Sequence, residues 1–167
     1  MAFGDRCRAN QHACILVRVK RILFYATTDD FGAFSNFASY PITVRGKRWP
    51  TSEHFFQAQK FEDAKVREAI RAVKSPMIAA QMGRDRKHRL RRDWDTARID
   101  VMREALRAKF TQHGDVHALL LSTGNAEIVE CTDNDDFWGD GGDGSGANML
   151  GRLLMELRAE LSAKGDA

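Results

Sequence analysis

The chain has 167 residues, of which 43% are hydrophobic and 29% charged, with a formal net charge of +3. That length and mixture suit one compact domain whose core needs no disulfide or metal staples. So small a positive excess does not by itself mark a nucleic-acid protein, and it is compatible with an anionic small-molecule ligand.

Residues 1–20 carry Arg6, Arg8, Arg18 and Lys20 without clear periodicity and read as a poorly ordered leader. Their apolar run Ala13–Val17 and the next one, Ile22–Ala26, are short and separated by basic residues. That pattern fits neither a signal peptide nor a membrane span, so a cytoplasmic protein with no membrane partner is expected. Cys7, Cys14 and Cys131 show no metal-ligand spacing, and free thiols in a reducing compartment are the simple expectation, with Cys131 a buried structural thiol.

The folded domain is expected over 21–163, with 164–167 a tail. Ile22–Ala26 reads as a strand. Pro41–Val44 and Lys47–Trp49 flank Arg45-Gly46 as a hairpin. Ser52 is the expected N-cap of a helix over Glu53–Phe61. A second helix spans roughly Ala64–Val73, ended by Ser75-Pro76, and a short third covers Met77–Met82. A basic stretch, Arg84–Arg92, follows. Then comes a long helix capped at Asp95 or Thr96 and reaching about Gln112, with Ile99, Met102, Leu106 and Phe110 facing the core. Val116–Ser122 reads as helix, Ala126–Cys131 as strand, Gly139–Gly146 as a glycine-rich loop, and Leu150–Leu161 as an amphipathic final helix. The fold class expected is α+β, mainly α, with a few short strands.

Four groups of residues are candidates for chemistry. Glu53, Gln57 and Lys60 stand at i, i+4 and i+7, which puts them on one face of the expected helix. A first-turn carboxylate is stabilised by the positive helix end, and from spacing alone that dipole role is the favoured account of Glu53. Trp49, Trp94 and Trp138 lie at element boundaries. A core role is the default for each, although a boundary indole also suits stacking on a planar base. The segment Asp133–Gly144 alternates Asp and Gly but lacks EF-hand spacing and a P-loop lysine. Its amides, running into the final helix, suit an anion. The arginines of 84–92 are mostly a solvated surface, with one or two suited to binding a phosphate.

These motifs resemble one known family. Phe34-Ser35-Asn36-Phe37, Trp49-Pro50-Thr51-Ser52-Glu53-His54, Phe56-Gln57-Ala58-Gln59-Lys60-Phe61 and Trp138-Gly139-Asp140-Gly141 are similar to the NADAR family, named for association with NAD and ADP-ribose, and most similar to its bacterial YbiA-like members. Ser75-Pro76-Met77, Met82-Gly83-Arg84, Ala105–Phe110 and Asn148-Met149-Leu150-Gly151 extend the resemblance, which runs from about Phe24 to Leu161.

The resemblance implies a single mainly helical YbiA-like domain with N-glycosidase activity and no cofactor or metal. Its implied substrates are aminopyrimidine ribose 5-phosphates of riboflavin biosynthesis. Implied alternatives are ADP-ribosylated guanine in DNA or RNA, which would make ADP-ribosylated nucleic acid a partner, or an ADP-ribose-like ligand sensed without cleavage. The resemblance carries functional roles to Glu53, Trp94 and Asp135, and with them to Lys60 and Trp138. The catalytic candidates are therefore Glu53, Asp135, Trp94 and Lys60. The ligand-binding candidates are Asn36, Gln57, Trp138, Gly139, Arg84 and Asn148.

Overall fold

The computed structural model describes residues 20–165. In chain order the elements are β1 (Arg21–Phe24), β2 (Ile42–Val44), β3 (Lys47–Trp49), α1 (Ser52–Ala58), α2 (Ala64–Ala72), α3 (Pro76–Arg84), α4 (Trp94–Gln112), α5 (Gly114–Ser122), β4 (Glu127–Glu130) and α6 (Met149–Gly165). The class is α+β and mainly α, as the hydrophobic patterning indicates. No helix among the described residues is long and apolar enough to cross a membrane. The chain forms two compact units, one from residues 36–118 and one from the segments before and after it.

The unit of residues 36–118 is built around α1. All seven residues of this helix are buried, and α2, α3 and α4 pack against it. Its entry is set by Thr51 in an extended conformation (φ −148°, ψ 167°), whose hydroxyl accepts the His54 amide at 3.4 Å. The N-cap is thus Thr51 rather than Ser52, and the Ser52 hydroxyl is instead buried without a hydrogen-bond partner. Strands β2 and β3 pair antiparallel from Ile42↔Trp49 to Val44↔Lys47. Arg45 and Gly46 both take positive φ (53° and 73°), the tight-turn geometry that suits the right-handed twist of the strands. Asp63 and Ser75 cap α2 and α3 through their side chains, and Pro76 occupies the first turn of α3. Helix α4 begins at Trp94, two or three residues earlier than expected, after Asp93, which makes no side-chain cap.

The other unit holds β1, β4 and α6. β1 and β4 pair in parallel, from Arg21↔Glu127 to Phe24↔Glu130, and α6 packs on β4. β1 stops at Phe24 rather than Ala26, because the Asp29 carboxylate takes the amides of Tyr25 and Ala26 at 3.0 and 2.8 Å and starts a turn. Phe24 meets Phe34 edge-on at 5.8 Å, and Ile128, Leu150 and Leu154 complete a fully buried core. Cys131 is buried, as expected, but it is disulfide-bonded rather than a free thiol; Cys7 and Cys14, like the rest of the expected leader, lie outside the described residues.

Candidate active site

Glu53 stands in the first turn of α1, where its amide donates to the Asn36 carbonyl at 3.1 Å. Only 6% of the residue is exposed. Gln57, one turn on and 5% exposed, donates its Nε2 to Glu53 Oε1 at 2.7 Å. Taking a carboxylate out of water is costly unless donors hold it. The Gln57 amide and the helix N-terminus both favour its charged form. Around this carboxylate, three buried polar oxygens make no hydrogen bond: Asn36 Oδ1, Ser52 Oγ and Gln57 Oε1. Most buried polar atoms in folded proteins are satisfied, so a group of orphans beside a buried carboxylate is unusual.

Lys60 departs from the helical-face expectation. Helix α1 ends at Ala58, and Lys60 lies in the turn beyond it. Its carbonyl accepts the Arg91 amide at 2.8 Å, and Phe61 bridges to Leu90, so the exit from α1 is stitched to the end of the basic stretch. The Lys60 ammonium lies 5.7 Å from the Phe56 ring centre and 5.8 Å from that of Trp94, with the Gly83 carbonyl at 3.4 Å. Trp94 is 8% exposed and packs on Phe56 at 5.1 Å. Two aromatic faces and a carbonyl suit a cation at this position. Within this unit, then, Glu53, Gln57 and Asn36 form one group, and Lys60 and Trp94 form another. Gly83 links them, because its bare Cα abuts Gln57 and its carbonyl meets Lys60.

Arg84 follows Gly83 directly and is exposed, as are Arg86, Lys87, Arg89 and Arg92. Two acids in and beside this stretch are occupied. Asp85 pairs with Lys87, and Asp93 holds Arg91 at 2.6 Å, lowering its own pKa by that hydrogen bond.

The remaining candidates lie in the other unit, where the Asp/Gly segment is held by its own backbone. Asp135 Oδ1 accepts the amides of Phe137 and Trp138 at 2.9 and 2.7 Å. Asp140 Oδ1 accepts those of Thr132 and Gly142, and Asp143 Oδ1 accepts that of Ser145. The amides of Gly144 and Gly146 go to the Asp140 carbonyl and that of Asn148 to Gly139. With these amides engaged internally, the segment differs from the open anion cradle its glycines suggested. Trp138 is half-buried and meets Phe137 edge-on at 5.0 Å, while Gly139 is buried against Thr132. Asn148, at φ 48°, takes the Glu130 amide with Oδ1 and gives Nδ2 to the Ile128 carbonyl, tying the start of α6 to β4. No group of three or more His, Cys, Asp and Glu side chains is arranged for a metal among the described residues.

Two residues carry more than their sequence context suggested. Gly83 stood inside a motif, but its close approach to Gln57 has no local signature. Lys109 is fully buried on α4. Its signal was legible, since it falls seven residues after Met102 on the apolar face.

The NADAR domain family profile matches residues 23–162. The chain is 62% identical to N-glycosidase YbiA of Escherichia coli over 141 residues, covering 84% of this chain and 88% of that protein. It is 43% identical over 140 residues to riboflavin biosynthesis protein VVA0006 of Vibrio vulnificus, of which it spans 38%. The NMR structure of the Escherichia coli protein YbiA superposes with a TM-score of 0.83 at 59% identity, covering 90% of this chain and 89% of that one. The chain belongs to the NADAR domain family.

Proposed function

We propose that this protein hydrolyses the C–N glycosidic bond of a free aminopyrimidine ribose 5-phosphate, releasing ribose 5-phosphate, with Glu53 as the essential carboxylate. That it is a hydrolase of N-glycosyl bonds follows from its closeness to relatives named N-glycosidases. The substrate class is supported by the riboflavin biosynthesis name of the Vibrio vulnificus relative. The observation that carries the site is the buried Glu53 carboxylate, held by Gln57 among unpartnered polar oxygens.

The chemistry suits that environment. As the C–N bond breaks, its electron pair leaves with the base nitrogen and positive charge grows on the ribose ring. An ionised carboxylate stabilises that charge, accepts a proton from the water whose oxygen attacks the anomeric carbon, and passes that proton to the departing nitrogen, so the base leaves as the neutral amine. The orphan oxygens of Asn36 and Ser52 suit the hydroxyl hydrogens of a ribose. Exposed Arg84 suits its phosphate. Asp135 and half-buried Trp138, in the other unit, are candidates on the family motifs alone, with Asp135 Oδ1 engaged by the amides of Phe137 and Trp138. Lys60, under two aromatic rings, acts as a cation rather than as a Schiff-base nucleophile.

The exposed cations at 84, 86, 87, 89 and 92 favour one second reading, in which the same bond is cleaved in ADP-ribosylated guanine of DNA or RNA. Incubating the protein with each substrate and quantifying the released base separates the two. Release from the free ribose 5-phosphate supports the first reading, and release only from the ADP-ribosylated oligonucleotide supports the second. Binding with no release from either points to a ligand sensor.

A further inference from the structure

Gln57 spans the gap between Glu53 and the backbone of α3. Its Nε2 donates to Glu53 Oε1 at 2.7 Å, while its Oε1 is buried with no hydrogen-bond partner. That oxygen stands against Gly83: a Cβ added there would lie 1.9 Å from Oε1, 2.7 Å from Cδ and 3.1 Å from Cβ of Gln57. An unpaired buried acceptor costs about 1–3 kcal/mol. Turning the amide over would bring its oxygen onto a carboxylate oxygen instead, which is worse when the carboxylate is charged. The side chain is therefore held with its donor on Glu53, by the bare Cα behind it and the carboxylate in front.

We propose that Gln57 is a positioning residue that acts on the reaction through Glu53, fixing the orientation of its carboxylate, and that the missing side chain of Gly83 is the space this requires. The inference rests on the reading of Glu53 as the essential carboxylate. It differs from direct contact between Gln57 and substrate, the role its place among the family motifs suggested. Displacing a reacting group by about 1 Å costs on the order of 100-fold in rate. Any side chain at position 83 moves Gln57, so two separate substitutions act on one hydrogen bond.

The test is steady-state kinetics of the full chain on an aminopyrimidine ribose 5-phosphate, with Gln57→Met, Gly83→Ala and Glu53→Gln, alongside NMR of the Gln57 side-chain amide. Gln57→Met and Gly83→Ala should each lower kcat by about 10-fold or more with KM unchanged. The Gln57 amide protons should resonate well downfield of exposed glutamines, and that shift should vanish in Glu53→Gln, where charge assistance is lost. A raised KM with unchanged kcat overturns the inference, because it places Gln57 on the substrate. So does full kcat in both variants. Should Gln57→Met not fold, Gly83→Ala and the amide signature in the unmodified chain still decide: an amide resembling an exposed glutamine counts against the inference. Full activity in Glu53→Gln removes the underlying reading as well. An inactive Glu53→Gln beside fully active Gln57→Met and Gly83→Ala defeats the positioning role alone. If the unmodified chain releases nothing from this substrate, the substrate reading fails and the NMR result alone decides.

Discussion

His54, next to the candidate carboxylate, is held neutral by its surroundings. It is fully buried, with Nε2 3.1 Å from the Val73 carbonyl and Nδ1 2.8 Å from the Thr51 hydroxyl. A carbonyl only accepts, so Nε2 carries the proton and Nδ1 accepts from Thr51. Burial lowers its pKa below the usual 6.5, and the Val73 hydrogen bond only partly opposes this. The unfolded chain therefore protonates first as pH falls. Stability is full above pH 6.5 and declines as pH drops below it towards the folded pKa. Thermal melts should show Tm falling between pH 7 and pH 5, and His54→Gln should flatten that fall. Lys109 behaves in the same sense at higher pH. Its ammonium lies over the Tyr40 and Phe110 rings at 5.3 and 5.5 Å, and burial depresses its pKa from 10.5 to about 7 against the opposing charge of Asp115. Between those two values the unfolded chain holds a proton that the folded chain does not, so stability rises as pH climbs from 7 towards 10.5. A denaturant midpoint higher at pH 9 than at pH 7, with the difference reduced in Lys109→Met, is the expected result. An unchanged midpoint would count against a buried neutral amine.

At the scale of elements, the sequence shows where helices start better than where they stop. Capping side chains at 51, 63 and 75 are local signals, and the hairpin turn Arg45-Gly46 is another. The end of α1 is not local. Gln59-Lys60-Phe61 contains no breaker, and the helix opens because the Lys60 carbonyl turns to the Arg91 amide and Phe61 pairs with Leu90. Partners thirty residues away leave no mark on a periodicity, which is why Lys60 was expected on the Glu53 face. The parallel pairing of β1 with β4 is equally non-local. At the other helix start, Gly151 allows α6 to approach β4. A Cβ there would sit 2.0 Å from the Ile128 carbonyl and 2.6 Å from the Asn148 side chain. Gly→Ala inside a helix ordinarily stabilises by about 1 kcal/mol. Here overpacking against backbone should win, giving a net loss of about 1–3 kcal/mol. Urea unfolding of Gly151→Ala measures it, and a more stable variant would contradict the close approach.

At the scale of the whole molecule, the resemblance seen over Phe24–Leu161 and the family match over 23–162 cover nearly the same residues. Composition and spacing alone gave a carboxylate on a helix and left its dipole role favoured. Family motifs raised it to a catalytic candidate. The structure adds what neither contained: Glu53 is buried, Gln57 donates a hydrogen bond to its carboxyl group, and unpartnered polar oxygens lie beside it. Lys60 beneath two rings predicts that borohydride added during turnover traps no covalent adduct, whereas an adduct on Lys60 would restore the amine route.

The most direct measurement is release of ribose 5-phosphate by Glu53→Gln, which keeps the shape of the side chain and removes its charge. The variant should melt near the unmodified protein and lose about 100-fold or more of kcat. Full activity in a folded Glu53→Gln protein would contradict the account.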